Sequence, residues 1–163
     1  MNEAHHETFL RRALELARLA RERGNHPFGA LLVDEQGAVL LEAQNTVVTE
    51  SDCTGHAETN LMREASRRLP AKTLARCILY TSTEPCAMCA GAIYWGGVTR
   101  VVFGLSEHSL LGLTGDDPEN PTLQLPCREV FARGQQDVQV IGPLLEEEAR
   151  AVHQGFWGGA HSP

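Results

Sequence analysis

Two short stretches constrain this chain more than any other feature. "SDCTGHAETN" begins at Ser51 and "TEPCAMCAGA" begins at Thr83. The first carries Cys53, His56 and Glu58, and the second carries Cys86 and Cys89. Imidazole and thiolate are the donors zinc prefers, and Cys-x-x-Cys and Cys-x-x-His are spacings used by zinc sites. A fold that serves them must bring His56 to Cys86 and Cys89 across about thirty residues of chain. Two readings are open. With Cys53 as a fourth ligand the site is closed and structural. With His56, Cys86 and Cys89 alone, one position stays open and Glu58 stands beside it, which is the layout of a hydrolytic centre.

The pattern around these stretches alternates helices and strands. Phe9, Ala13, Leu14, Leu16, Ala17 and Ala20 recur at helical spacing and predict an amphipathic helix over 6–23. Gly24, Asn25 and Pro27 stop it. "FGALLVD" and "AVLLEAQN" read as strands joined by an "EQG" turn, and a loop leads from them to a helix over 56–68, with Thr54 or Gly55 near its cap. "CILYTST" reads as a short buried strand. Pro85 opens the next helix, where its missing N–H costs nothing, and Gly96-Gly97 ends it. "VTRVVFGL" is a further strand, 106–125 is loop-like, "CREVFAR" is a short helix, "DVQVIG" a strand, and "PLLEEEARAVHQGFW" a closing helix. This order gives one sheet flanked by helices, and a chain of 163 residues is expected to form one domain.

A chain of this length buries enough surface to fold without a metal, so a zinc site here needs a purpose other than holding a core. The formal net charge is -7, which repels phosphate backbones. The arginine groups at 11–23 and 63–68 sit among acidic residues and read as solvated helix faces. No leader-like segment and no apolar run of membrane-spanning length occurs, so a reduced, cytoplasmic protein is expected, in which Cys-x-x-Cys signals metal or redox work. Cys77 and Cys127 read as small buried hydrophobes.

Chemistry concentrates at two helix starts. Cys86 and Cys89, three residues apart, place both thiolates on one face of a first turn. Unpaired N–H groups at helix N-termini favour thiolates and developing negative charge. Each helix follows a strand, so both can open at the same sheet edge. Glu58 is poorly placed to ligate the metal held by His56, and well placed to move a proton to and from a water there.

"HAE" at 56–58 with "PCAMC" at 85–89 resembles the His-x-Glu…Pro-Cys-x-x-Cys signature of zinc-dependent cytidine, nucleobase and tRNA-adenosine deaminases. The similarity runs from "HPFGALLVD" to the final helix. It implies a three-layer α/β/α cytidine-deaminase-like fold with a central mixed five-stranded sheet. It implies one Zn2+ per chain on His56, Cys86 and Cys89 with water completing the set, and Glu58 as the catalytic proton shuttle. Asn45 falls where the family places a substrate-contacting amide. The chain carries Cys53 and Gly55 where many members have proline and alanine.

Within that family, "AGAIYWGGVTRVVFGLSEH" is most similar to bacterial guanine deaminases. The resemblance implies hydrolysis of guanine to xanthine and ammonia. It puts Asp117, or its neighbour Asp116, on an acidic residue that contacts the base, with Phe28 and Trp95 as aromatic walls. Glu107 and His108 read as a surface pair. The tail "FWGGAHSP" lacks the tyrosine of a closing lid. The rival is a tRNA-adenosine deaminase, but the final helix carries "LEEEAR" and the tail has no lysine or arginine, so a small uncharged substrate is expected rather than a nucleic acid. Cytosine, a nucleoside or another amino-heterocycle fits the same zinc machinery. A homodimer is expected from the family.

Overall fold

The computed structural model describes residues 2–158. Five strands form one sheet: β1 (Gly29–Val33), β2 (Val39–Gln44), β3 (Ile78–Thr83), β4 (Arg100–Leu105) and β5 (Gln139–Ile141). Their order is β2-β1-β3-β4-β5. β1 pairs antiparallel with β2 and β3, while β3–β4 and β4–β5 are parallel. The sheet is therefore mixed, as the sequence implied. All six residues of β3 are buried, which suits its central place.

Side chains alternate between two faces along each strand. Leu31, Val33, Tyr80 and Val102 pack against Leu10, Ala13 and Leu16 of α1 (Glu3–Glu22). Leu32, Leu79, Val101 and Phe103 pack against the other face's helices, α2 (Ala57–Arg68), α4 (Ala87–Gly96) and α6 (Cys127–Ala132). Ala149 of α7 (Glu146–Ala151) returns to the α1 side. The result is helix, sheet, helix. Leu31, Leu32 and Leu79 are fully buried, and truncating any one of them to alanine costs about 2–5 kcal/mol. At Gly29 a Cβ would lie 2.6 Å from Ala13 O and Ala17 N, so only glycine lets α1 rest directly on β1.

Three elements differ from expectation. The segment read as loop contains α5 (Glu107–Thr114), capped by Ser106 Oγ, which accepts from Ser109 N, and anchored by buried Leu110. A short α3 (Ala71–Leu74) follows Pro70. The closing helix is confined to Glu146–Ala151. Pro143 precedes it by a bend, and Gly155 at φ +72° sits in the turns that follow.

Candidate active site

His56 is the N-cap residue of α2 and Cys86 is the N-cap residue of α4. Cys89 is then the third residue of α4, and Glu58 the second of α2. Both helix starts face one another beside the carboxyl end of β3. His56 Nδ1 lies 3.5 Å from Cys86 Sγ and 3.5 Å from Cys89 Sγ. A tetrahedral centre with Zn–N of about 2.0 Å and Zn–S of about 2.3 Å separates its N and S ligands by about 3.5 Å. The donor set therefore fits zinc in both chemistry and spacing. Among the described residues, this trio is the cluster able to hold a metal ion, with ligand atoms within 4.8 Å of one another. Cys53 is exposed at the edge of the cavity and stands outside the trio, so a closed four-ligand site is not assembled.

The local charges suit thiolate ligands. A hydrogen bond from Cys89, together with the His56 ring, holds the Cys86 thiol far below its ordinary range, while the shared proton and burial push Cys89 up. The hydrogen bond to Cys86 raises His56. Thr59 Oγ1 sits 3.2 Å from Cys89 Sγ and can donate to its thiolate.

Glu58 is buried, and burial pushes its carboxyl upward, opposed by a hydrogen bond from Thr81. Raised carboxylates of this kind suit proton transfer near neutral pH. The carboxylate of Glu84 fastens the far wall: Oε1 accepts from Glu107 N and Oε2 from Cys127 N, so one side chain joins the first turns of α5 and α6. Asn60 fastens the near loop, its amide donating to Gln44 O and Thr46 Oγ1. A Cβ at Gly55 would stand 2.8 Å from that Thr46 hydroxyl, which accounts for glycine in this loop.

These elements enclose a cavity of about 350 Å³ that reaches His56, Glu58 and Cys86. Asn45 and Phe28, both expected at the substrate, line this cavity. Asn45 is almost fully buried, and its Oδ1 accepts from Val47 N, which sets the amide's orientation. The Phe28 ring is backed by His153 at 5.4 Å and Trp157 at 6.2 Å.

Trp95 and Asp117 are placed elsewhere. Trp95 is 86% exposed on the outer side of α4 and does not line this cavity. Helical rotation carries it away from Cys86 and Cys89, which spacing within a single run of apolar residues does not reveal. Asp117 is buried under the C-terminal turns, where Oδ1 accepts from Glu119 N and Oδ2 accepts from Gly158 N. Asp116 is exposed. The acid that the same loop presents to the cavity is Glu119, with Oε2 4.0 Å from His26 Nε2. Glu107, expected on the surface, is also buried in the cavity wall, while His108 is exposed as expected. Burial and the neighbouring charge of Glu84 push Glu107 up to about 7. Missing α5 hid Glu107, because a first-turn residue of a capped helix points where a loop residue need not. The tail beyond residue 158, on which part of the lid expectation falls, lies outside the described residues.

The comparisons with known proteins agree with this geometry. The model of the cytidine and deoxycytidylate deaminase zinc-binding region matches residues 3–105. A probable cytosine deaminase of Schizosaccharomyces pombe is 42% identical over 151 residues, covering 93% of this chain and 91% of the relative. The guanine deaminase of Bacillus subtilis is 47% identical over 113 residues, 69% of this chain and 71% of the relative. A solved structure from work on tRNA:A34 deaminases superposes with a TM-score of 0.69 at 29% identity, covering 90% of this chain and 99% of that one. The matched span holds all three metal ligands and Glu58, and the chain belongs to the zinc-dependent cytidine and deoxycytidylate deaminase family.

Proposed function

We propose that this chain is a guanine deaminase, releasing ammonia and xanthine, and that it works as one catalytic domain. The observation that carries the choice of base is the cavity lining. Besides the catalytic Glu58, three glutamates, Glu84, Glu107 and Glu119, line it with the Asn45 amide, and no lysine or arginine does among the described residues. Such a lining favours a small uncharged ring rich in N–H donors and disfavours phosphate. Glu119 takes the part expected of Asp117, accepting from the N–H edge of the base. Asn45 donates to a ring acceptor, and Phe28 covers one face. Against a tRNA substrate stand the formal net charge of -7 and a cavity wall that holds no lysine or arginine among the described residues. Cytosine is the second reading, favoured by the near full-length match to the Schizosaccharomyces pombe protein.

Zinc, when bound, supplies Lewis acidity that brings the pKa of a water close to neutral. The chain's own part is proton traffic. Glu58 accepts a proton from the water and delivers it to the ring nitrogen beside the amino-bearing carbon; it then takes the second proton from the oxygen newly bound to that carbon and passes it to the leaving amine. The ring carbon gains oxygen as it loses nitrogen, and ammonia departs. The five cysteines carry no disulfide, and this chemistry needs two of them as thiolates, so we place the enzyme in a reducing compartment. No helix of the described residues is long and apolar enough to cross a membrane. We further propose a homodimer, supported by the exposed apolar side of α4 that carries Trp95 and Met88.

The test is ammonia release from zinc-loaded protein against guanine, guanosine, adenine, adenosine, cytosine, cytidine and a tRNA anticodon stem-loop. Guanine is expected to turn over best. Cytosine turnover alone would select the second reading, and stem-loop turnover would reject the charge argument. Glu58→Ala should retain zinc and lose about 100-fold or more in kcat. Cys53→Ala should keep both zinc and activity; loss of zinc would restore the four-ligand site.

A further inference from the structure

Thr81 lies in the middle of β3 and is fully buried. It follows Tyr80, which faces α1, so strand alternation turns Thr81 to the α2 side. There its Oγ1 stands 2.5 Å from Glu58 Oε1. The same Oγ1 stands 3.0 Å from Thr83 O, a backbone carbonyl at the end of β3. A hydroxyl has one proton to donate and can accept as well. Two acceptors therefore compete for the Thr81 proton.

We infer that Thr81 is the positioning residue for Glu58, holding one carboxyl oxygen still in both states of the proton shuttle so that the other faces the reacting atoms. When Glu58 is ionised, Thr81 donates to Oε1. When the other oxygen, which faces the reacting atoms, has taken the proton, Oε1 remains an acceptor and Thr81 still donates to it, with Thr83 O as the second acceptor within reach of the same hydroxyl. Thr81 keeps its own proton throughout, and the only proton transferred is the one on Glu58. The hydrogen bond is never lost, so the carboxyl does not rotate between taking a proton and giving it. The β3 backbone fixes both Thr81 and its alternative acceptor, which makes the pair a rigid backing for a side chain on a different element. Loss of a buried hydrogen bond to a charged group is enough to slow a step that depends on it by about tenfold or more.

The inference rests on Glu58 as the proton carrier and on no particular base, so it is measured on whichever base the wild type turns over best. Thr81→Val keeps the shape and removes the hydroxyl. It should lower kcat at least about tenfold with KM within about twofold and zinc content unchanged. Thr81→Ser keeps the hydroxyl and should restore kcat to within about threefold. Should Thr81→Val fold poorly, Thr81→Ser against Thr81→Ala makes the same comparison, since those two differ only in the hydroxyl. An unchanged kcat in the hydroxyl-free variant overturns the inference, as does a serine variant as slow as the variant without a hydroxyl. Retained turnover in Glu58→Ala would sink the proton-shuttle reading itself, a result that the threonine variants do not mimic.

Discussion

At the scale of single residues, the zinc ligands were legible because their chemistry leaves few alternatives. Imidazole and two thiolates at helix starts, with a glutamate two residues from the imidazole, have few structural uses that would produce the same pattern. Glu107 and Glu119 were not legible, because a carboxylate in a polar segment carries no periodic signal, and counting from Cys89 led to Asp117 instead. Glu107 makes its burial measurable. Its folded-state pKa is pushed up to about 7, above the ordinary range of an unfolded glutamate near 4.3. Between those values the folded state binds more protons than the unfolded one, so this residue's contribution to stability falls as pH rises from about 4.3 through 7. Glu107→Gln removes the ionisation. Its melting temperature relative to wild type should therefore rise between pH 5 and pH 8. Parallel melting curves for the two proteins across that range would show that Glu107 ionises freely in the fold.

Elements with a strong period were read closely: β1, β2, β3, β4 and α2 lie within a residue or two of their expected places. α5 was missed because its cap, Ser106, and its few leucines sit beside a segment crowded with Gly, Pro, Asp and Asn, and composition outweighed period. The closing helix was overextended for the opposite reason. "VHQGFW" continues the apolar pattern, but the chain leaves the helix to lay His153, Phe156 and Trp157 on His26 and Phe28. Arg21 of α1 holds this turn by donating to Val152 O and Gln154 O. Within it, Trp157 Nε1–H donates to His153 Nδ1 at 3.0 Å, so His153 must be neutral at that nitrogen. Burial pushes His153 down to about 4. Its unfolded value is near 6.5, so the unfolded state binds more protons between the two, and stability is lost as pH falls from about 6.5 toward 4. His153→Phe should flatten that acid loss relative to wild type. Melting temperature at pH 7 and pH 4.5 for both proteins checks it, and an equal fall in the two would remove His153 from the cause. Because this turn backs Phe28, KM should change in the variant more than kcat.

At the scale of the whole molecule, the sheet explains why the site exists where it does. β3 and β4 are parallel, so β3 needs a crossover, and that crossover is α4, whose start carries Cys86 and Cys89. α2 precedes β3 on the same face and delivers His56 and Glu58 to the same edge. The order of elements thus determines that two distant motifs meet, and it was readable from pattern alone. What one chain's pattern does not convey is which surfaces are covered by another molecule. α4 is apolar on nearly every side: Cys89, Ala90 and Ile93 face the core, while Met88 is 37% and Trp95 86% exposed. Leu123, on the cavity wall, is a further 61% exposed. An exposed apolar patch on a helix without charges marks a contact surface for another molecule. The proposed homodimer makes a definite claim on these residues. Wild type should sediment at about twice 17.8 kDa at micromolar concentration. Trp95→Glu should shift it toward the single-chain mass with zinc content retained, because Trp95 touches neither the metal ligands nor the cavity. Met88 belongs both to this exposed side and to the cavity wall, so loss of the second copy should also raise KM. A wild type that sediments at the single-chain mass throughout that range would remove the dimer. A Trp95→Glu variant that stays paired would move the interface away from α4.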